Sequence, residues 1–316
     1  MSAENHETVL NLFSNIRDRT YANEGRCVCE GRIVIEKALQ NNIELEALLC
    51  TEIRLAEYQT LCRSYPAGRS VPIIGKPHAE IEKLAGFDFH RGALAIARRP
   101  AILELTVPGT NLPVQGELPP PENHLTAPGS ASSVSTQLME TITGNVLVLW
   151  QVTDPDNLGT LIRSASALGA RAIILGPGSA DPYCRKALRT SMGCAFSMPI
   201  LHVRDASALA FFAEYTDALL IAACPVSADR TTTATCRYNK LLLEPCTQAV
   251  PTITETTRPF WLILGNEGWG LPDNLLARVH YKAAIPMHNS TDSLNVAAAG
   301  AILLYELFLD RQNRIN

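Results

Sequence analysis

Between residues 145 and 286 the chain repeats one pattern: a short unbroken apolar run, a turn, then a stretch with helical spacing. The runs lie in NVLVLWQ (145–151), RAIIL (171–175), ALLIAA (218–223) and FWLIL (260–264). None alternates polar with apolar, so each reads as a strand buried on both faces. Helices are expected over 157–168, 184–191, 205–214, 272–278 and 294–310, with a strand at 282–286 and a strand or turn at 196–200. This alternation specifies an α/β fold with a mostly parallel sheet covered on both faces. Ligands on such sheets bind at the carboxyl ends of strands.

The N-terminal block is a smaller version of the same mixture. After an amphipathic opening to about Arg19, helices are expected at 31–41, 55–64 and 78–85, and strands at 46–51, 71–75 and 92–99. These make a small α/β/α domain with no internal repeat linking it to the second block.

The two blocks are joined by a segment of different character. Residues 100–144 carry no Phe, Trp or Tyr, and have Pro at 100, 108, 113, 119, 120, 121 and 128 before the small polar run SASSVST. Such a stretch buries too little apolar surface to offset the entropy of ordering, so 108–143 is expected to be a flexible linker. The expected division is therefore 1–107, linker 108–143, and 144–316.

Charge follows the same division. Residues 1–99 hold 13 basic and 13 acidic side chains, residues 145–316 hold 14 and 14, and the segment between holds four Glu and no base. The net charge of −4 thus lies in the middle, and both flanking blocks are free to present local basic patches. Nine cysteines, an odd number, include only Cys27 and Cys29 as a close pair, in C-x-C spacing. They read as reduced thiols filling core, with no metal site expected. No apolar run approaches the ~20 residues of a membrane span, and the polar N-terminus lacks a signal sequence, so a cytoplasmic protein without a membrane partner is expected.

Three strand ends in the second block collect glycine, amide and charged residues. In QVTDPDNLGTLIRSASALGA (151–170), Asp154-Pro155 makes a turn and Asn157 is placed to cap a helix bearing Arg163. In LILGNEGWGL (262–271), Gly265, Gly268 and Gly270 allow close backbone approach to a ligand. In IPMHNSTDSLNVAAAGAILLY (285–305), a polar turn precedes an apolar helix that any of Asn289, Ser290, Thr291, Asp292 or Ser293 could cap. GNEGWG is neither a dinucleotide fingerprint nor a Walker A loop, and H-E-x-x-H and G-x-S-x-G are absent, which disfavours nicotinamide enzymes, nucleotide triphosphatases, zinc hydrolases and serine esterases.

In order and internal spacing, Asn157 with Arg163, Glu267 in LGNEGWGL, and Ser293 with Asn295 closely resemble the three motifs of the SpoU/TrmH branch of the SPOUT methyltransferases. RTSMGCAFSMPI (189–200) resembles a further family segment, and CEGRIVIEKALQN with EALLCTE resembles, more loosely, a ribosomal-protein-like RNA-binding domain. The resemblance implies an α/β domain ending in a deep trefoil knot, a homodimer, and transfer of a methyl group from S-adenosylmethionine to a ribose 2′-hydroxyl of rRNA or tRNA. It implies catalytic roles for Asn157, Arg163, Glu267, Ser293 and Asn295, and cofactor contacts by Leu264, Gly265, Asn266, Gly268, Ile285, Met287 and Leu294.

The residue types suit those roles. A glycine-lined loop offers backbone groups to adenine and ribose, apolar Ile285 and Met287 flank the ring, and the amides can orient a ribose. Glu267 is expected to hold Arg163 or an RNA-facing group. Because a guanidinium stays protonated, Arg163 reads better as a clamp on an RNA phosphate than as a base. RNA contact in the first block falls to Arg32 and Arg91, with Arg17, Arg19, Arg26, His90, Arg98 and Arg99 as further candidates.

Thr160, Ala297 and the pair His288-Asn289 depart from the usual family residues. The helix 294–310 is apolar nearly all round and reads as central core or as a face buried against another subunit, with Gly300 allowing a close helix approach; the resemblance to the family favours a dimer seam. Two other readings stand beside ribose methylation: a non-catalytic RNA-binding or assembly factor that keeps the fold, and a methyltransferase acting on a base or a protein.

Overall fold

The computed structural model describes residues 3–89, 91–107, 140–224, 236–238, 241–246, 253, 256–287 and 293–309. Residues 108–139 of the expected linker, His90, His288, Asn289 to Asp292 and most of the Thr-rich stretch after residue 224 lie outside them. The chain divides into two compact units, one of residues 1–101 with 181–197 and one of 102–180 with 198–316.

The first unit contains helices α1 (Ala3–Asn11), α2 (Asp18–Asn23), α3 (Arg32–Gln40), α4 (Leu55–Arg63) and α5 (His78–Ala85). Its strands are β1 (Arg26–Glu30), β2 (Leu45–Thr51), β3 (Ile73–Lys76) and β4 (Ala93–Arg98), in the order β1-β4-β2-β3. Only β2 and β3 run parallel; β4 is antiparallel to both of its neighbours. The strand β1 was not expected from the sequence. Its RCVCE has charged ends and two thiols, yet Cys27, Val28 and Cys29 are buried, as the core-filler reading of the cysteines requires.

Phe13, Val28, Leu49, Ile81, Phe89, Leu94 and Ile96 form this unit's core on one face of the sheet. The segment 181–197 adds a short helix (Arg185–Thr190) packed on β1. Its Arg185 lies 2.7 Å from the Glu30 carboxylate, which is only 2% exposed, and its guanidinium also stacks over Phe87. Arg99 reaches Asp181 at 2.5 Å and lies over the Tyr183 ring. Glu30 is the buried member of these pairs, and without Arg185 its carboxylate would keep only Arg189, at 3.9 Å; leaving a buried charge uncompensated costs up to about 3–5 kcal/mol.

The second unit is built on a nine-stranded sheet. In chain order its strands are β5 (Leu103–Leu105), β6 (Val146–Leu149), β7 (Ala172–Leu175), β8 (Ile200–Val203), β9 (Leu219–Ala223), β10 (Cys236–Tyr238), β11 (Leu241–Pro245), β12 (Phe260–Leu264) and β13 (Tyr281–Ala284). Across the sheet the order is β10-β11-β13-β9-β12-β6-β7-β8-β5. Every pairing from β13 to β5 is parallel, and only β10 and β11 are antiparallel additions. The mostly parallel sheet is as expected, and its central strands β6, β7 and β12 are buried throughout.

Both faces are covered. Val146, Val148, Ile174, Trp261 and Ile263 pack with Leu209 and Phe212 from the helix Ala206–Tyr215 and with Leu275 from the helix Asp273–Leu276. Two further helices, Pro155–Ala167 and Val296–Leu304, pack against each other, and the second also meets β12. Burying side chains of this size contributes about 1.5–3 kcal/mol each.

Two boundary expectations change. Asp154, not Asn157, caps the helix Pro155–Ala167, its carboxylate accepting the Asp156 amide at 3.0 Å, with Pro155 at the first helical position. The expected helix 294–310 is a helix over Val296–Leu304 that widens into a π turn over Tyr305–Leu309. Gly300 does permit a close approach, but within the chain: a Cβ there would lie 2.3 Å from Leu161 Cδ2 and 2.7 Å from Leu264 Cδ1. Among the described residues no helix is long and apolar enough to cross a membrane.

Candidate active site

At the carboxyl ends of β6 and β12, and at the start of the helix Val296–Leu304, three short segments meet. β12 ends at the buried Leu264, and the chain turns back on itself through Gly265 to Gly270. The turn closes with the Gly270 amide donating to the Asn266 carbonyl at 2.9 Å. Asn266 organises the loop: its Oδ1 accepts from the amides of Gly268 (2.8 Å) and Trp269 (3.2 Å), and its Nδ2 donates to the Gln151 carbonyl at 2.9 Å. Glycine is required twice. A Cβ on Gly265 would stand 2.8 Å from the Gly270 carbonyl oxygen, and Gly270 has φ +68.

The loop carries Glu267 to the N-termini of both helices. Its Oε1 accepts from Asn157 Nδ2 at 2.7 Å, from Asn295 Nδ2 at 3.0 Å and from the Val296 amide at 3.3 Å. Asn295 Nδ2 also donates to Asn157 Oδ1 at 3.0 Å. Asn295 Oδ1 then caps the helix, accepting from Ala297 at 2.9 Å and Ala298 at 3.4 Å. Of the five residues expected to cap it, Asn289 to Asp292 lie outside the described residues and Ser293 stands before the cap. A carboxylate only accepts, so Glu267 dictates which way both asparagine amides face, and each asparagine must donate on one side and accept on the other. Aspartate could not replace either of them.

Of the two partners expected for Glu267, Arg163 or an RNA-facing group, the first is not the one found: Glu267 holds Asn157 and Asn295. Arg163 is exposed on the helix Pro155–Ala167, outside that network, and Ser293 is exposed just before Asn295. Ile285 is half-buried after β13, while Met287 and Leu294 are exposed.

In the first unit, Arg32 and Arg91 line one cavity of ≈ 490 Å³ together with Gly31, Arg54 and Gly92. Arg54 was missed because nothing in its local pattern marks it; the turn after β2 carries it there, where its Nη1 donates to the Arg91 carbonyl at 3.2 Å. Arg32 and Arg54 share the carboxylate of Glu57 at 2.9 and 3.0 Å. Arg26 is held by Glu24 and Glu46, Arg98 by Glu44 and Arg99 by Asp181, so these candidates are engaged within the unit.

Comparison with known proteins gives this arrangement a family. The profile of the SpoU rRNA Methylase family matches residues 144–305. The chain belongs to that family. Among SpoU relatives, the 23S rRNA (guanosine(2553)-2′-O)-methyltransferase RlmP of Bacillus subtilis is 35% identical over 163 residues, 51% of this chain and 57% of that protein. The uncharacterized tRNA/rRNA methyltransferase Mb0905 of Mycobacterium bovis is 29% identical over 279 residues, 88% of this chain and 79% of that protein. The SpoU fold extends further: the crystal structure of the SpoU methyltransferase AviRb from Streptomyces viridochromogenes, in complex with AdoMet, superposes with a TM-score of 0.65 at 20% identity, covering 98% of this chain and 99% of that one. All three segments that meet at Glu267 lie inside the SpoU match.

Proposed function

We propose that this chain is an RNA ribose methyltransferase, transferring a methyl group from S-adenosylmethionine to a 2′-hydroxyl of rRNA or tRNA in the cytoplasm. The observation that carries this reading is the convergence of Asn157 and Asn295 on one carboxylate oxygen of Glu267 in a glycine loop. The residues present fit the cofactor: Gly265 has no room for a side chain beside the Gly270 backbone, and the space over Gly270 is open. Leu264, Gly265, Asn266 and Gly268 would hold it through backbone groups, and Ile285, Met287 and Leu294 would flank its adenine. When bound, it supplies a methyl carbon activated by a neighbouring positive sulfur.

The chain's own residues do the rest. Glu267, Asn157 and Asn295 fix the two helix starts against the loop, and positioning of this kind supplies several kcal/mol to a displacement. Arg163 clamps the RNA phosphate and stabilises the developing alkoxide, leaving the proton to a phosphate oxygen or water. Exposed Ser293 orients the ribose. In this reading residues 1–107 bind RNA through Arg32, Arg54 and Arg91, 108–143 connect, and 144–316 form the catalytic domain with its trefoil knot. Homodimerisation is supported by Ile302 and Tyr305, exposed at helical spacing on the outer side of the last helix.

The test incubates the protein with labelled cofactor and separate unmodified rRNA and tRNA, then maps alkali-resistant linkages, since a methylated 2′-oxygen blocks backbone cleavage. A resistant linkage in either RNA is expected. Label on a base or on protein overturns the reading, and absence of cofactor binding by calorimetry points to a non-catalytic assembly factor.

A further inference from the structure

Three tryptophans occur in the chain, and they are used differently. Trp150 and Trp261 are buried, whereas Trp269 is 91% exposed. Its backbone is nonetheless fixed, the amide held by Asn266 Oδ1 and the next residue tied to the Asn266 carbonyl. Gly268 and Gly270 flank it, so neither neighbour in the chain covers a face of the indole. A large apolar ring presented bare on a rigid turn is a surface arranged for a flat ligand, because little ordering entropy is left to lose on contact.

Position narrows the ligand. Trp269 lies two residues beyond Glu267, at most about 7 Å of chain from the carboxylate network. The residues proposed for the cofactor within the turn, Gly265, Asn266 and Gly268, offer it backbone groups, and Ile285, Met287 and Leu294 supply the apolar flanks, so the Trp269 indole is left without a part in that pocket. RNA bases unstacked from their neighbours are commonly received on aromatic side chains, and every base offers a π face.

We propose that Trp269 stacks on an RNA base adjacent to the ribose being methylated, and thereby sets which nucleotide enters the site. This rests on the ribose-methylation reading for the identity of the target, but its test does not depend on methyl transfer. Binding of unmodified rRNA and tRNA transcripts is measured by filter retention and by tryptophan fluorescence, for the wild type, Trp269→Ala and Trp269→Phe. RNA affinity is expected to fall roughly 5- to 150-fold in the alanine variant, the loss of one base stack, and to be largely kept by phenylalanine. RNA-dependent quenching should vanish in Trp269→Phe, since the two remaining indoles are buried.

Wild-type RNA affinity in Trp269→Ala overturns the proposal. So does a loss confined to cofactor affinity or to the oligomeric state, which assigns the ring to the cofactor pocket or to a protein contact. If Trp269→Ala does not fold, unchanged quenching in Trp269→Phe overturns it equally. Weakened RNA binding in the alanine variant, with no resistant linkage formed by the wild type, retains the stack and rejects ribose methylation. A resistant linkage formed by a wild type whose RNA affinity the alanine variant shares does the reverse.

Discussion

Replacing Glu267 with alanine tests the centre of the site, because one oxygen there receives three donors from two other segments, Asn157 on one and Asn295 with Val296 on the other. Hydrogen bonds to a charged group contribute about 1.5–3 kcal/mol each where water is excluded. Glu267 is exposed, so water replaces much of each bond, and the three together come to about 1–2 kcal/mol. For a cooperative unit of this size that is a fall of roughly 2–8 °C in Tm. Glutamine keeps the shape and one accepting oxygen without the charge, so Glu267→Gln should recover half or more of the loss. Turnover should suffer more than stability, since a misplacement of about 1 Å can cost 100-fold. The assay pairs thermal unfolding of the three proteins with methyl transfer to whichever RNA the wild type modifies. If alanine leaves both Tm and turnover at wild-type values, Glu267 does not join the segments, and the account of the site built on it is wrong.

Other outcomes follow from the same geometry. Arg163→Ala should lower turnover far more than cofactor affinity measured by calorimetry, and equal losses in both would count against a phosphate clamp. Gly265→Ala should open the loop, because the new Cβ meets backbone that cannot turn aside; overpacking of about 1–3 kcal/mol exceeds the ~0.4–1 kcal/mol gained from a stiffer unfolded chain. Its Tm and its affinity for S-adenosylhomocysteine should fall together, and an unchanged affinity would remove Gly265 from the pocket. His280 accepts the Leu220 amide through Nδ1 at 3.0 Å, and burial, with the Arg258 charge adding to it, lowers its pKa below the ordinary 6.5. The unfolded chain thus takes up this proton at higher pH than the folded one, so the contribution is whole above about pH 6.5 and is lost as pH falls through the folded value. Urea midpoints should decline over that interval in the wild type and less steeply in His280→Gln; parallel curves would refute the assignment.

Much of the second unit was legible because buried parallel strands write themselves as unbroken apolar runs, and FWLIL or NVLVLWQ admit no other economical placement. The site was legible as three strand ends of like composition, but its wiring was not. Five polar residues before the last helix satisfy the capping rules as well as Asn295 does, and the place to which the fold brings Glu267, beside Asn295 and the Val296 amide, is not written in the local pattern. Asn157 was misplaced for a related reason: Asp154-Pro155 upstream already supplies cap and first turn. β1 escaped because thiols carry little strand signal, and Arg54 because the cavity it lines is assembled from segments far apart in sequence. Gly300 announced a close approach without naming the partner, which proved to be Leu161 and Leu264 of the same chain.

The division of the chain bears on how it is made. The first unit is complete only when residues 181–197 join residues 1–101, yet a ribosome releases about 80 further residues between them, which at 5–20 residues per second takes roughly 4–16 s. Throughout that interval Glu30 lacks Arg185, and the carboxylate later kept at 2% exposure stands in water on an unfinished strand. The ion pair that ties the short helix to β1 thus forms only after the strands β6 and β7 of the second unit's sheet have emerged, so the first unit is completed after part of the second has been made.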